Sequence, residues 1–291
     1  MVWVGAQGPV NGVFFDEGWE SGSASGSFNS RYYGSLSGSQ FHVQNSTTAT
    51  GAWALQHLIP AGTAPSAIQY ATQHFGDARS GPVHPTGQGQ HFYDLYIQYK
   101  VYYPPGFPTG NLAKQLIIGT EDDRRHDDPC CNPWVAHYMT VYPPFGGRVW
   151  NVEANNKQAA SGQWVGFVQN ASGHSESNLF TIGTGQWHTV EVRRRLNDPG
   201  VDNGIFQMWI DGRLISDHRN ARYRVPWNGT YGSNFEYGTN FMLISEYGAT
   251  MPSAQSVYYD DIKLSTSYIG TSGGTTPPAP PAAPRNVRIL R

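Results

Sequence analysis

The sequence predicts an all-β protein made of two packed antiparallel sheets, and composition and periodicity carry this prediction. The 291 residues include 34 glycines, 20 prolines, 17 tyrosines and 9 tryptophans, whereas only 14% of the chain is charged. Helix-rich domains normally hold far more Glu, Lys, Leu and Ala than this. Short alternating runs recur between turn-forming clusters, and no window holds an apolar stripe at helical spacing. Strands without intervening helices favour packed antiparallel sheets.

Aromatic and β-branched residues mark the individual strands. The alternation is plainest in Trp187 to Arg195, where Val190 and Val192 are separated by Glu191. The dipeptide Asp211-Gly212 lies between apolar flanks and predicts a tight hairpin turn. The predicted strands are Val13 to Phe15, Ala52 to Gln56, Phe92 to Tyr102, Lys114 to Ile118, Trp134 to Tyr142, Arg148 to Ala154, Trp164 to Val168, Trp187 to Arg195, Ile205 to Ile210, Phe241 to Ser245 and Val257 to Leu264.

A change of composition after Ile269 divides the chain. Residues 1–269 are predicted to form one β-sandwich domain. Residues 270–285 are rich in Gly, Thr and Pro and predict a linker within a disordered, Pro-rich C-terminal tail. Residues 286–291 are either a plain tail or the first strand of a truncated following module, and both interpretations remain open.

Charge and hydropathy exclude two classes of partner. The formal net charge of −2 gives no field strong enough to hold nucleic acid or an anionic membrane surface. No apolar run approaches the ~20 residues of a membrane span. The N-terminus shows no signal peptide, so the chain is either a mature fragment with an added Met or exported by another route.

Other sequence features leave alternatives open. Cys130 and Cys131 are adjacent and can pair only as a strained vicinal disulfide, so their oxidation state stays open. Asn45, Asn170 and Asn228 begin Asn-x-Ser/Thr triplets, which become glycosylated only in a suitable host. Self-association is equally open.

Three stretches, in order, carry a family resemblance. They are Tyr99 to Phe107 followed by Lys114 to Gly119, then Gln186 to Glu191 with Asn203 to Gly212, and finally Tyr258 to Thr266. Together they resemble the concanavalin A-like polysaccharide lyases of the alginate and glucuronan lyase type, and the exported proteins related to them, over residues 92 to 269. The resemblance implies a concanavalin-like jelly-roll sandwich, a polysaccharide partner, and an extracellular or cell-surface location.

The resemblance also implies catalytic residues. Elimination across a uronic acid needs a cation for the carboxylate, a base for the α-proton and an acid for the departing oxygen. The family's lysine, just after the Pro-Gly-Phe turn, matches Lys114, and its arginine position falls on His137. Tyr138 or Tyr142 is then the candidate proton donor. We expect Lys114 and His137 to lie within a sugar's length of each other on the hollow side of a curved sheet.

The candidates for substrate binding follow from the same comparison. In the family, a pair of tyrosines lies on the strand after the one that carries the arginine. This chain has no clean counterpart of the pair, because its corresponding strand offers Trp150 and Asn151. Trp134 and Trp150 are candidate platforms for sugar rings, with Asn151 and Arg148 as polar partners. Burial in the core is the alternative for each tryptophan.

Carboxylates at the two ends of the domain predict a metal site. In many carbohydrate-binding jelly rolls, an early Glu-Ser-Gly and a late Asp-Asp meet around a structural calcium ion. The equivalents here are Glu17 and Glu20, and Asp260 and Asp261. Carboxylate oxygens suit that hard ion, although plain carboxylates at a sheet edge are an equal alternative.

Two functions from different classes therefore remain. One is a lyase that cuts an anionic, uronate-containing polysaccharide by β-elimination. The other is a non-catalytic carbohydrate-binding or surface-assembly module. The sequence lacks a Ser-His-Asp order, a phosphate-binding Gly loop, a zinc signature and the Glu-x-Asp-x-x-Glu strand of retaining glucanases.

Overall fold

The computed structural model describes residues 12–23, 33–36, 40–63, 71–74, 92–107, 114–120, 137–142, 151–155, 183–198, 201–221, 239, 241–247 and 252–271. These residues form the strands β1 (Val13–Glu17), β2 (Tyr33–Leu36), β3 (Phe41–Gln44), β4 (Ala54–Ile59), β5 (Ala71–His74), β6 (Asp94–Tyr102), β7 (Lys114–Thr120), β8 (His137–Tyr142), β9 (Asn151–Asn155), β10 (Trp187–Arg195), β11 (Gly204–Ile210), β12 (Arg213–Ala221), β13 (Phe241–Tyr247) and β14 (Gln255–Ser265). No part of these ranges is helical. Accordingly, they offer no helix with the length and apolarity to cross a bilayer.

The strands form two sheets, and every pairing among them is antiparallel. The eight-stranded sheet has the order β12-β11-β10-β6-β14-β4-β3, and β1 also pairs with β14. The six-stranded sheet has the order β2-β5-β13-β7-β8-β9. Sequence neighbours are often separated in the sheets, which is the connectivity of a jelly-roll sandwich. The all-β prediction is confirmed.

Most of the predicted strands are present within a few residues of their expected bounds. Trp187–Arg195 matches in full, and the predicted strand at Ile205 to Ile210 begins one residue earlier, at Gly204. The predicted strand at Trp164 to Val168 lies outside the described residues, as do residues 272–291 of the expected linker and tail. Strands β2, β3, β5 and β12 are not among the predicted strands, although the predicted hairpin turn at Asp211-Gly212 implies a strand at the position of β12.

The core fills the space between the sheets because alternate positions of each strand are apolar. In the eight-stranded sheet, Leu95, Ile97 and Tyr99 of β6 are buried. In the six-stranded sheet, Leu116 and Ile118 of β7 are fully buried. Burying such a side chain stabilises the fold by about 1.5–3 kcal/mol. These side chains belong to one hydrophobic cluster to which both sheets contribute.

The hairpin between β11 and β12 turns where the sequence predicts it. Asp211 and Gly212 have φ angles of 52° and 77°, as a tight primed turn requires. The Asp211 carboxylate accepts a hydrogen bond from the Thr189 backbone N–H at 2.9 Å and lies 2.7 Å from Nδ1 of His188. These contacts tie the turn to the neighbouring strand β10.

A buried carboxylate fastens the segment after β14 across the eight-stranded sheet. Glu191 of β10 is 2% exposed. Its Oε1 accepts a hydrogen bond from the Ile269 N–H at 2.8 Å, and its Oε2 accepts from the Gly270 N–H at 2.9 Å and from Gln98 Nε2 at 3.0 Å. Tyr268 packs on the Trp209 ring at a centroid distance of 5.0 Å. We call residues 268–271 the strap.

Replacing Glu191 with Gln is expected to loosen the strap. The new NH2 group would face at least one of the three N–H donors, which leaves a buried donor unsatisfied and costs about 1–3 kcal/mol. Amide exchange measured by NMR should accelerate at Ile269 and Gly270 more than at the centre of β10. Unchanged exchange at both amides would contradict the anchoring role of Glu191.

Candidate functional site

The pairing of the six-stranded sheet separates core positions from outer positions. One row of directly paired residues is apolar on every strand: Leu36, Ala71, Ile244, Leu116, Val141 and Val152. Its members Ala71, Ile244 and Leu116 are buried. Because side-chain positions alternate along a strand, the neighbouring rows belong to the opposite face. We call that face the outer face of the six-stranded sheet.

One row of the outer face is rich in residues that transfer protons or donate hydrogen bonds. It runs across all six strands through Tyr33, His74, Phe241, Gly119, Tyr138 and Asn155. We call it the tyrosine–histidine row. Adjacent strands lie about 4.8 Å apart, so Tyr33 and Asn155 are separated by about 24 Å of sheet. That span suits a chain of several sugars.

Along each strand of the six-stranded sheet, positions alternate between the core side and the outer face. The catalytic residues predicted from the sequence are divided between these two sets of positions. Tyr138 belongs to the tyrosine–histidine row, and Tyr142 lies four residues along β8 in the same alternating set. His137 pairs with Thr120 and belongs to the other set, together with Leu116 and Ile118. We call this the core-side set, because Leu116 and Ile118 are buried. Lys114 is two residues before Leu116 and therefore also falls in the core-side set, at a strand end where the pairing with β13 is irregular. Tyr138 and His137 are successive residues of β8, so their positions belong to opposite faces.

The spacing of Lys114 and His137 differs from the sequence-based expectation. His137 pairs with Thr120, which is six residues from Lys114 along β7. At about 3.4 Å per residue, the two positions are about 20 Å apart. The expected separation of one sugar is therefore wrong for the backbone positions, because antiparallel pairing sets them at opposite ends of β7. Their catalytic roles stay predictions.

Only one of the predicted substrate-binding residues falls on the described chain. Asn151 begins β9 and pairs with Tyr142 on the outer face. Trp134, Arg148 and Trp150 lie outside the described residues.

His74 and Tyr33 are the residues that sequence reasoning missed. Each lies on a four-residue strand, Ala71–His74 and Tyr33–Leu36, in which apolar and polar residues do not alternate clearly. Neither strand resembles a recognised motif. Pairing through β13 is what brings His74 into the same row as Tyr138.

The four carboxylates of the predicted metal site do come together at one end of the sandwich. A Cβ built on Gly18 would lie 3.6 Å from Oδ1 of both Asp260 and Asp261. Successive strand residues normally face opposite sides, but β14 has a bulge here and Asp261 has a φ of 47°. The bulge turns both aspartates toward the loop before β4. A depression of about 530 Å³ beside them is lined by Asp16, Glu17, Gly18, Glu20, Thr50 and Asp261.

Protein groups already occupy most of these carboxylate oxygens. Buried Asp260 accepts hydrogen bonds from the N–H groups of Ala49, Thr50 and Asp261 at 2.8–3.1 Å. Glu20 accepts from the Ala52 N–H at 2.9 Å. Asp261 accepts from the Thr50 hydroxyl at 2.8 Å and pairs with Lys100 at 2.6 Å.

This arrangement is a clamp on residues 49–52. Over the ranges that the structure describes, no group of three or more His, Cys, Asp or Glu side chains is arranged to hold a metal ion. The carboxylates as they stand do not fit a calcium site built from their side chains, because their oxygens point to N–H, hydroxyl and ammonium donors. Calcium binding stays a prediction.

A calcium titration tests that prediction. If the ion binds these carboxylates, millimolar calcium should raise the melting temperature, because a ligand that binds only the folded state stabilises it. Glu17→Gln should reduce the increase, whereas Asp94→Asn, which changes a carboxylate outside the cluster, should not. A melting temperature that calcium leaves unchanged would contradict the calcium prediction.

Glu17 predicts a pH dependence of stability. Burial raises the pKa of Glu17 to about 7, although the hydrogen bond from the Trp19 N–H lowers it, and the nearby Asp16 carboxylate adds to the increase. The folded protein thus holds this proton more tightly than the unfolded chain, in which Glu titrates near ~4.3. The protonated Glu17 therefore contributes its full stabilisation of the folded state below the unfolded pKa. This contribution is lost as the pH rises through the folded pKa of about 7.

Unfolding in urea at pH 5 and pH 8 with EDTA present measures this contribution. Glu17→Gln keeps an acceptor oxygen for the Trp19 N–H and removes the titration. We expect the variant to lose less stability than the wild type between the two pH values, by an amount that partial exposure of Glu17 keeps small. An identical loss in both proteins would show that Glu17 titrates normally.

Comparison with known proteins places the fold. No family model matches the sequence, and no curated protein matches it. Among solved structures, a variant of the alginate lyase Aly36B in complex with an alginate trisaccharide has a TM-score of 0.56 at 12% identity, covering 88% of this chain and 98% of that one. The alginate lyase vAL-1 from Chlorella virus has a TM-score of 0.54 at 12% identity, covering 81% and 93%. The cellulose induced protein Cip1 has a TM-score of 0.50 at 11% identity, covering 88% and 99%. The chain is thus a jelly-roll sandwich of the concanavalin-like kind, a fold that it shares with alginate lyases.

Proposed function

We propose that this protein binds a uronate-containing polysaccharide along the outer face of the six-stranded sheet and cleaves it by β-elimination. The observation that carries the proposal is the tyrosine–histidine row, in which one pairing register aligns Tyr33, His74, Tyr138 and Asn155. Uronate elimination needs residues of these types on one face, within reach of the same sugar.

The row supplies both proton-transfer roles. A neutral histidine at position 74 is suited to remove the α-proton of the uronate, and the hydroxyl of Tyr138 to protonate the departing glycosidic oxygen. The two positions are separated by β13 and β7, about 14 Å across the sheet, so cleavage requires both side chains to lean toward a scissile sugar bound between them. Asn155 is suited to donate a hydrogen bond to the uronate carboxylate, whereas Lys114, at a core-side position of β7, is not part of this row.

The comparisons support the substrate class. Two of the similar structures are described as alginate lyases, one of them in complex with an alginate trisaccharide. A shared fold hosts unrelated functions, so this likeness adds to the argument from the row and does not replace it. By the same reasoning, we propose an extracellular or cell-surface location, where such polysaccharides occur.

A non-catalytic carbohydrate-binding module is the second candidate. The observation that favours it is β9, where Asn151, Glu153 and Asn155 occupy the outer positions that would otherwise complete a tyrosine pair. A protein of this kind would retain the polysaccharide on the same face without breaking it.

Cleavage is tested by incubating the protein with alginate, glucuronan and glycosaminoglycans. Each elimination creates a double bond conjugated to a carboxylate, which absorbs in the ultraviolet. We expect absorbance to rise with at least one polymer, and Tyr138→Phe and His74→Ala to lower the rate about 100-fold or more, as loss of a general acid or base does.

One further variant, His137→Ala, tests which histidine is the base. His137→Ala changes the histidine of the core-side set and should leave the rate within a few-fold of wild type if His74 is the base. A rate abolished by His137→Ala but not by His74→Ala would support the sequence-based assignment instead. Retarded migration in polysaccharide gels without any product would favour the binding module.

A further inference from the structure

The outer face of the eight-stranded sheet carries its own row of aromatic rings. Trp187, Tyr102 and Tyr258 are directly paired across β10, β6 and β14. The Tyr102 ring lies 5.5 Å from the Trp187 ring and 5.9 Å from the Tyr258 ring, centroid to centroid. All three residues are partly exposed, although they alternate with buried residues along their strands. We call them the aromatic row, which extends about 10 Å across the sheet.

A polar depression adjoins the aromatic row on the same face. Its volume is about 530 Å³, which lies within the ~300–1,000 Å³ range of small-molecule sites. Thr189 and Lys100 lie two residues from Trp187 and Tyr102 along their strands, so they form the next row of the face. The strap closes the opposite side through Ile269, Gly270 and Thr271. The depression is thus a short groove that begins one row away from the aromatic row and ends at the strap.

The charges in this groove favour an acidic ligand. Lys100 and Lys263 both line it, and Asp261 is the one carboxylate among its lining residues. Lys100 pairs with Asp261 at 2.6 Å, and Lys263 lies 3.7 Å from Asp16, which is outside the groove. Burial acts to raise the pKa of Asp261, but its hydrogen bond from Lys100 and the charge of Lys263 lower it. The neighbouring Glu191 is buried and bonded to the strap. Both ammonium groups and one of their carboxylate partners line the groove, whereas Asp16 lies outside it, so the lysines are the charged groups that an acidic ligand would contact.

We propose that the aromatic row and this groove form a second binding site, for an acidic oligosaccharide. Aromatic faces pack against the apolar faces of sugar rings, and the lysines are placed to pair with a sugar carboxylate. The rings of Trp187 and Tyr258 are tilted by 42° and 66° to that of Tyr102. The three rings therefore do not form a flat platform. They suit a single sugar chain better than the flat surface of a crystalline polysaccharide.

This site lies on the opposite sheet from the tyrosine–histidine row and does not depend on catalysis there. The sandwich core separates the two faces. A polysaccharide held on the aromatic row would keep the protein on its polymer while the other face is free. Binding at the aromatic row and cleavage at the tyrosine–histidine row can therefore be tested independently.

Isothermal titration calorimetry with an alginate oligosaccharide and a neutral glucan oligosaccharide of equal length tests the proposal. We expect Trp187→Ala and Tyr258→Ala each to weaken binding of the acidic probe about tenfold. Tyr258→Phe, which keeps the ring, should bind almost as wild type. Lys263→Met should weaken binding of the acidic probe and not of the neutral probe.

Location is read separately by NMR. The indole N–H resonance of Trp187, assigned by its loss in Trp187→Phe, should shift when the acidic probe is added, in wild type and in Tyr138→Phe alike. Three results would overturn the proposal. The Trp187 resonance could stay in place, or the alanine variants could bind the acidic probe as tightly as wild type does. Alternatively, both probes could bind equally well, with Lys263→Met leaving both affinities unchanged. A shift at Trp187 in a protein that cleaves no polymer would support this site while the proposed lyase activity fails.

Discussion

The two-residue repeat of antiparallel strands is the constraint on which this structure depends. A row of apolar positions from Leu36 to Val152 crosses six strands, and its buried members hold the register by facing the core. A slip of one residue on any strand would turn that apolar set outward, so the register is strongly specified. The same register aligns Tyr33, His74 and Tyr138 one position away. Packing of the core thus determines which polar residues can act together.

How much the sequence predicts depends on the length of each strand. Long alternating runs such as Trp187–Arg195 can be recognised as strands from the sequence. The Asp211-Gly212 turn can be recognised as well, because Asp-Gly pairs tolerate the positive φ angles that the structure shows there. The four residues of β5 carry no such pattern, so His74 becomes visible only through its pairing with β13. The register of β7 with β8 is likewise a long-range property. That is why the expected closeness of Lys114 and His137 was wrong, although both strands were predicted.

Two segments beside the eight-stranded sheet are held by buried carboxylates that accept hydrogen bonds from backbone N–H groups. Asp260 fixes the loop before β4, and Glu191 fixes the strap after β14. A buried carboxylate is costly unless it is paired or hydrogen bonded, so each one enforces a single local geometry. The strap in turn borders the groove beside the aromatic row. The two sheets therefore differ: the row of positions through Tyr33, His74 and Tyr138 crosses one sheet, and the aromatic row with Lys100 and Lys263 lies on the other.

The most direct test of the account is a crystal structure of the protein with a uronate oligosaccharide longer than four sugars. The account predicts a sugar chain that crosses β5, β13, β7 and β8 along the tyrosine–histidine row, with the rings of His74 and Tyr138 in contact with the same or adjacent sugars. A structure in which the outer face of the six-stranded sheet is empty, or in which His74 and Tyr138 lie out of reach of the ligand, would contradict it.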